Sequence, residues 1–216
     1  TLSVAKWRRG DYHEALSLAR AALDLAEEKN LPEETYANAL SNIGNVYQNL
    51  SDYPQALTYF QKALAINEES GSKDGIAINL GNIGNVYLHL SDYPQALTYY
   101  QKALTINEEI GRKNGIAINL GNIGNVYLHL SDYPQALTYY QKALAINEEM
   151  GSKDGIARNL SNIGSVYRNL SDYPQALTYY QKALAIYEEE GSKDGIAINL
   201  GNIGNVYHNL SDYPRA

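Results

Sequence analysis

Pairs of glutamates recur along the chain, and they are the first residues whose type and spacing suggest acid–base chemistry. Two neighbouring carboxylates can act as general acid and general base when burial separates their pKa values. Here each pair closes a polar stretch such as Asn107-Glu108-Glu109, which indicates solvated carboxylates at a helix end. The sequence also offers no nucleophile–base pair and no phosphate-binding loop, so we predict no catalytic residues and no enzymatic activity. The groups are Glu68-Glu69, Glu108-Glu109, Glu148-Glu149 and Glu188-Glu189-Glu190.

Two histidines, His89 and His129, hold equivalent places in consecutive copies of a repeated segment and could suggest a metal site. Equivalent points on packed helices lie roughly 8–10 Å apart, which is too far for one metal ion without a third ligand. The chain has no cysteine to supply that ligand. We therefore predict no metal and no cofactor, and we interpret both histidines as polar contacts for a partner.

Asparagine is the most regular chemical feature, since Asn42, Asn82, Asn122, Asn162 and Asn202 follow one another at intervals of 40 residues. A carboxamide has one acceptor and two donors, so it can bond both the C=O and the N–H groups of an extended peptide. Asparagine is also a mediocre helix former, and its repeated use within helices asks for a reason. Two interpretations stay open: a ladder that binds a partner's backbone, or side chains that tie neighbouring helices and water.

The elements that must position these residues form a near-verbatim repeat. Segments 74–113 and 114–153 differ at only four places, and such a fixed period is typical of a stacked repeat array. Ile76, Leu80 and Ile83 recur at helical spacing, and a second apolar stripe follows the break at Ser91-Asp92. Each period is therefore predicted to be a hairpin of a helix A and a helix B. The predicted helices span 33–50, 53–70, 74–90, 93–110, 114–130, 133–150, 154–170, 173–190 and 194–210.

Cap residues support these boundaries. Asp92 with Gln95 forms a capping-box pattern at the start of helix B, repeated at Asp132/Gln135 and Asp172/Gln175. In the first repeat we predict a helix A over 2–9 and a turn at Gly10-Asp11-Tyr12 before helix B. Left-handed helix ends are predicted at Gly71, Gly111, Gly151 and Gly191.

The residues at the seam of each hairpin resemble those of a tetratricopeptide repeat (TPR). Gly84, Tyr87, Asp92-Tyr93, Ala96, Tyr100 and Ala103 have its order and spacing. The period is longer than the common 34 residues, and Glu108 replaces the usual proline. Both departures are similar to the long-period class found in kinesin light chain, the LGN/Pins adaptors, and the arms of NB-ARC and CHAT proteins. The resemblance implies an all-α, right-handed superhelical solenoid of antiparallel helix hairpins, whose A helices line the concave groove.

The repeat boundaries follow from this period. We predict one TPR array over 1–216 whose ends both fall within a repeat, and we expect it to be a fragment of a longer protein. The apolar ends, Leu2 and Val4 at one side and Leu210 and Tyr213 at the other, should be partly bare and allow weak head-to-tail self-association. The divisions are a partial first repeat at 1–30, then 31–72, 73–112, 113–152, 153–192 and a truncated repeat at 193–216.

Differences between the repeats concentrate on one face of the A helices, and we expect that face to bind a partner. The exposed face of helix B has hardly changed by comparison. Arg158 and Arg168 can be read either as an anchor for an acidic group or as solvated arginines, and they fit the chaperone-type carboxylate clamp poorly. The predicted groove residues are Asn42, Asn45, Asn82, Asn85, His89, Asn122, Asn125, His129, Arg158, Asn162, Ser165, Arg168, Asn202 and Asn205.

Composition narrows the class of partner. A net charge of −7 argues against nucleic acid and against an anionic membrane, and no apolar run or signal peptide directs the chain into a bilayer or out of the cell. We predict a cytoplasmic scaffold that binds an extended or helical protein segment. The alternatives are a sensor or autoinhibitory arm of a larger signalling protein and an end-to-end structural array.

Overall fold

The computed structural model describes residues 2–29 and 31–210, with side chains from Glu14 onward. These residues form ten α-helices and no strand, which confirms the predicted all-α class. From residue 33 onward each predicted boundary is met to within one residue. The helices are α1 Leu2–Glu28, α2 Glu33–Asn49, α3 Tyr53–Ser70, α4 Lys73–His89, α5 Tyr93–Glu109, α6 Lys113–His129, α7 Tyr133–Met150, α8 Lys153–Asn169, α9 Tyr173–Glu190 and α10 Lys193–Asn209.

The first hairpin was predicted wrongly, because α1 runs without a break from Leu2 to Glu28. The later turns place a proline such as Pro54 in the first turn of helix B, where its ring cannot continue the preceding helix. The first repeat has His13 at that point. Every backbone N–H of Gly10-Asp11-Tyr12-His13 can therefore donate within one helix.

Four A helices, α2, α4, α6 and α8, turn into their B helices through a serine in the left-handed region. Ser91 has φ of 60°, donates its N–H to Leu88 O at 3.0 Å, and is followed by Asp92, whose N–H donates to Tyr87 O at 2.9 Å. This pair of bonds is a Schellman motif with serine in place of the usual glycine. The Asp92 carboxylate then accepts the Gln95 N–H at 3.2 Å, as the capping pattern predicted. The other serines are Ser51, Ser131 and Ser171.

The B helices end as predicted, with glycine in the left-handed region. Gly71, Gly111, Gly151 and Gly191 have φ values between 66° and 71°. No atom lies within 4 Å of a Cβ built at any of these four glycines. Their need for glycine is therefore conformational rather than steric.

The core of each hairpin is built where a glycine of helix A meets an aromatic ring of helix B. A Cβ at Gly124 would lie 2.7 Å from the Tyr140 ring, and Gly84 and Tyr100 repeat the same geometry. Tyr140 is fully buried and packs with Ile163 and Val166 of the next A helix. One B helix thus fills the space between two A helices.

The chain divides into two compact units between Gly111 and Arg112. Within the first unit α2 contacts α4, while the Cα atoms of α3 and α5 stay more than 8 Å apart. Within the second unit α6 contacts α8 and α8 contacts α10, while α7 and α9 stay apart in the same way. In each unit the A helices are therefore the closely spaced side. No helix in the described part of the chain is both long and apolar enough to cross a membrane.

Candidate functional site

The predicted groove residues all lie on A helices and are reached by solvent to different degrees. Asn82, Asn122, Asn162 and Asn202 are half-buried, whereas Asn42 at the start of the series is exposed. The remaining exposed members are Asn45, His89, His129, Arg158 and Asn205, and the remaining half-buried members are Asn85, Asn125, Ser165 and Arg168.

An open cleft between α6 and α8 brings four of these residues together. Its volume is about 270 Å³, and Asn122, Asn125, Arg158 and Asn162 all line it. The rest of its wall combines an exposed apolar side chain, Ile118, with further residues of α6 and α8, of the turn before α8 and of the end of α7. These are Ala117, Gly121, Asn159, Asn114, Asn147, Ser152, Asp154 and Gly155. Carboxamides from two consecutive repeats therefore face one space.

Two of the predicted groove asparagines are each tied to a tyrosine of their own hairpin. The Tyr140 hydroxyl donates to Asn125 Oδ1 at 2.7 Å, and the same bond joins Tyr100 to Asn85. Burial raises the pKa of Tyr140 far above its usual value of 10.0, so the phenol stays a donor. The oxygen of these carboxamides is thus committed to the fold.

In the fifth repeat a serine takes the place of that asparagine. Ser165 Oγ lies 3.0 Å from the Tyr180 hydroxyl and 3.1 Å from the Ser161 carbonyl oxygen. Burial raises the pKa of Tyr180, while the bond with Ser165 and the positive charge of Arg168 lower it. The charge of Arg168 therefore acts on a hydroxyl of the hairpin core.

Arg158 is held by a carboxylate of its own helix. Its Nη2 lies 2.6 Å from Asp154 Oδ2, and both side chains are well exposed. This i,i+4 pair balances the charge of Arg158 at the mouth of the cleft. An acidic partner group would have to compete with Asp154.

His89 packs on an aromatic ring of the preceding hairpin. Its ring stacks on Tyr53 with centroids 5.6 Å apart and an interplanar angle of 10°. Among the described residues no three histidine, aspartate or glutamate side chains gather closely enough to hold a metal ion.

The glutamate groups stay at the surface, and three of them bind a lysine. Glu149 lies 2.7 Å from Lys113 Nζ, and Glu189 lies 2.7 Å from Lys153 Nζ, with all four side chains about half exposed or more. Each pair joins the end of a B helix to the start of the A helix in the same hairpin. Exposed ion pairs of this kind stabilise a fold by about 0–1 kcal/mol.

A second, buried set of asparagines was not predicted as such from the sequence, and two of its members tie neighbouring A helices. Asn79 donates Nδ2 to Gly75 O at 2.9 Å and accepts the Ser41 hydroxyl at 2.8 Å. Asn199 makes the same bond with Ser161, at 2.7 Å. The signal was present, since these asparagines also recur every 40 residues. The buried set is Asn67, Asn79, Asn107, Asn119, Asn147, Asn159 and Asn199.

Comparisons with solved structures place the described fold among repeat proteins. BtubC (BKLC) from P. vanneervenii has a TM-score of 0.79 and 21% identity, over 95% of this chain and 86% of that one. A Rap protein complexed with competence and sporulation factor has a TM-score of 0.75 and 19% identity, over 95% and 61% of the two chains. A signal transduction ATPase with a tetratricopeptide repeat sensor, from Pyrococcus horikoshii, has a TM-score of 0.77 and 21% identity, over 95% and 31%. At these identities the likeness concerns the fold.

Comparisons at the level of sequence identify the repeat itself. No curated protein matches the chain significantly. The family model named tetratricopeptide repeat matches residues 1–69, 35–109, 75–149 and 155–216. Since these matches take in nearly the whole sequence and the helices pair as hairpins at the predicted places, the chain belongs to the tetratricopeptide repeat family.

Proposed function

We propose that this chain is a non-catalytic protein-interaction module that holds an extended segment of a partner against its A helices. The observation that carries the proposal is the cleft between α6 and α8, where carboxamides of two consecutive repeats face one space. Asn122 and Asn162 are half-buried there. A partner's backbone could bond them while it stays shielded from competing water.

The charges around the cleft favour a neutral segment over an anionic one. Arg158 is already paired with Asp154, and the chain as a whole carries a net charge of −7. Exposed isoleucines, Ile78, Ile118 and Ile198, accompany the asparagines on the A helices. An extended peptide with alternating polar and apolar contacts matches this surface, and we propose a cytoplasmic protein partner rather than nucleic acid or a membrane.

The proposed mode is tested by selecting ligands from a random-peptide display library on the immobilised chain. The variant replaces Asn82, Asn122 and Asn162 together by Ala. Each lost hydrogen bond should cost about 0.5–1.5 kcal/mol of binding, so the loss of three should lower the affinity of selected peptides about ten- to two-thousand-fold. Helix propensity predicts that the melting temperature holds or rises.

A matched control replaces Gln101, Gln141 and Gln181 by Ala on the exposed face of the B helices. This variant should bind the selected peptides as the parent does. Peptides that bind the asparagine variant undiminished, or that respond to the glutamine variant instead, would overturn the proposed groove. A destabilised asparagine variant that still binds would assign those side chains to the fold.

A sensor arm is the second candidate, and it is favoured by one similar structure whose repeats are described as a sensor. A sensor and a scaffold would use the same groove but differ in consequence. In the natural gene product, a selected peptide should change the activity of a linked domain only if the array is a sensor. An unchanged activity at saturating peptide would leave the scaffold.

A further inference from the structure

Serine hydroxyls close the gap between consecutive A helices at two places. Ser41 Oγ donates to Asn79 Oδ1 at 2.8 Å, and Ser161 Oγ donates to Asn199 Oδ1 at 2.7 Å. All four side chains are at least nine-tenths buried. The chain itself therefore shows that a CH₂–OH group complements this asparagine oxygen.

Gly121 holds the equivalent position on α6, so the hydroxyl is missing there. Asn159 on α8 is 5% exposed and donates Nδ2 to Gly155 O at 2.8 Å. Its Oδ1 receives no hydrogen bond from any described residue, and a Cβ built at Gly121 would lie 3.7 Å from it. Gly121 and Asn159 both line the cleft between α6 and α8. An acceptor on a nearly buried side chain thus faces an opening.

We infer that this opening is a subsite for a small neutral donor, filled best by the side chain of a serine in the bound segment. The subsite consists of Gly121 and Asn159. It rests on the proposed function because it lies in the same cleft, and it adds a side-chain preference to backbone binding.

The chemistry of the subsite selects a hydroxyl over an ammonium group. Asn159 is neutral and nearly buried, so a charged donor would lose its hydration without gaining a counter-charge. The nearest carboxylate on α8, Asp154, is engaged with Arg158. A hydroxymethyl group carries no such penalty and reproduces the contact that Ser161 makes one repeat later.

The subsite can be probed without knowing the partner. N-acetyl-L-serinamide is titrated at millimolar concentration into isotopically labelled chain, and N-acetyl-L-alaninamide serves as the matched control. The side-chain amide signal of Asn159 should shift with the serine probe and not with the alanine probe. Gly121→Ser places a hydroxyl where the probe binds and should abolish the shift, while the melting temperature holds or rises.

A reciprocal variant, Ser161→Gly, removes the hydroxyl group that donates a hydrogen bond to Asn199. It should create a second responsive signal, at Asn199. If Gly121→Ser folds poorly, Gly121→Ala fills the same space without a donor and should also abolish the shift. An absent shift at Asn159, or an equal shift in the Gly121 variants, overturns the subsite.

The peptide selection separates this inference from the proposed function. Selected peptides should carry serine at a fixed position and lose about tenfold in affinity for Gly121→Ser, the loss expected for one hydrogen bond. If the peptides lose affinity for the triple asparagine variant but not for Gly121→Ser, the groove stands and the subsite fails. If no peptide is selected but the serine probe still shifts Asn159, the subsite stands and the peptide groove fails.

Discussion

One glycine on each A helix from α2 to α8 faces an aromatic ring of the helix that follows; these are Gly44, Gly84, Gly124 and Gly164. The Cβ that alanine would add at Gly124 falls 2.7 Å from the fully buried Tyr140 ring. Phe60 fills the same place against Gly44. A residue type that weakens an isolated helix is thus required by the packing of two.

Substitution of this glycine tests the close approach directly. Gly124→Ala should gain nothing and Gly124→Leu should lower the melting temperature, because overpacking costs about 1–3 kcal/mol. Gly201→Ala is the matched control, since a Cβ there meets nothing within 4 Å; it should gain up to about 1 kcal/mol. Urea unfolding measures all three, and an alanine at Gly124 that stabilises as much as one at Gly201 contradicts the packing.

The buried tyrosines make the fold sensitive to alkali. Burial raises the pKa of Tyr100 and Tyr140 in the folded chain above the ordinary value of 10.0. A raised folded-state pKa means that the stabilisation is fully present below pH about 10 and is lost as the pH rises above it. Each such tyrosine should lower the free energy of unfolding by about 1.4 kcal/mol per pH unit in that range.

Tyr140→Phe isolates this effect. Phe60 occupies the equivalent place in its own hairpin, so the site accepts a ring without a hydroxyl group. At neutral pH the variant loses the bond to Asn125 and should be less stable by about 0.5–1.5 kcal/mol. Above pH 10 the deficit should shrink or reverse, since phenylalanine has no proton to lose. Unfolding in urea at both pH values measures the difference, and an equal deficit at both would contradict it.

At the scale of the element, the turn within a hairpin and the turn that leads to the next hairpin reach the same backbone conformation with different residues. Gly151 ends a B helix at φ of 66°, and Ser131 ends an A helix at φ of 59°. Left-handed backbone costs a residue with a Cβ roughly 1–2 kcal/mol. The A-to-B turn therefore carries strain that its Asp cap and its proline offset.

This strain predicts opposite effects of exchanging side chains at the two turns. Ser131→Gly should raise stability by up to about 1 kcal/mol, the relief being reduced by the greater freedom of glycine in the unfolded chain. Gly151→Ala should cost about 1–2 kcal/mol. Ser152→Gly, at φ of −80°, is the control that should not gain. A Ser131→Gly variant no more stable than that control would show that the turn is not strained.

Periodicity predicted most elements correctly because caps and apolar stripes are local signals. The unbroken α1 was missed because Gly10-Asp11-Tyr12 resembles the turn of the later repeats. The proline that follows the turn in those repeats is absent here, so the helix can continue. For the candidate site, too, local signals predict only part of the arrangement. Asn82 and Asn79 have equal spacing in the sequence, but only contact with the neighbouring A helix makes Asn79 a tie to Ser41. The assignment of asparagines to the groove therefore stays a prediction. The prediction of the fold did not depend on that assignment.

At the scale of the whole molecule, α10 presents a face that every other A helix of the same pattern covers. Leu200 is 52% exposed, whereas its equivalents Leu40, Leu80, Leu120 and Leu160 are 3–8% exposed. The predicted exposure of Leu210, at 47%, has another cause, because Leu90, Leu130 and Leu170 are equally exposed within the array. Leu2, Val4 and Tyr213 lie outside the described side chains.

Self-association of the 216-residue chain should therefore depend on Leu200. We predict weak, concentration-dependent association that Leu200→Glu suppresses, since a charge on this face prevents its burial against another copy. Leu170→Glu, at a similarly exposed position away from that face, should leave association unchanged. Light scattering at millimolar protein decides, and a strict monomer would count against the prediction.

The sameness of the hairpins bears on how such a chain changes in length. Segments 74–113 and 114–153 differ at four positions, and the glycine–tyrosine contact and the Asp cap recur in both. Deleting or duplicating one such segment creates a junction whose residues are the same as those of an existing interface between hairpins. A gene with this layout can gain or lose whole hairpins by unequal recombination. Each product still encodes complete interfaces between hairpins, so the array can change its length in steps of 40 residues.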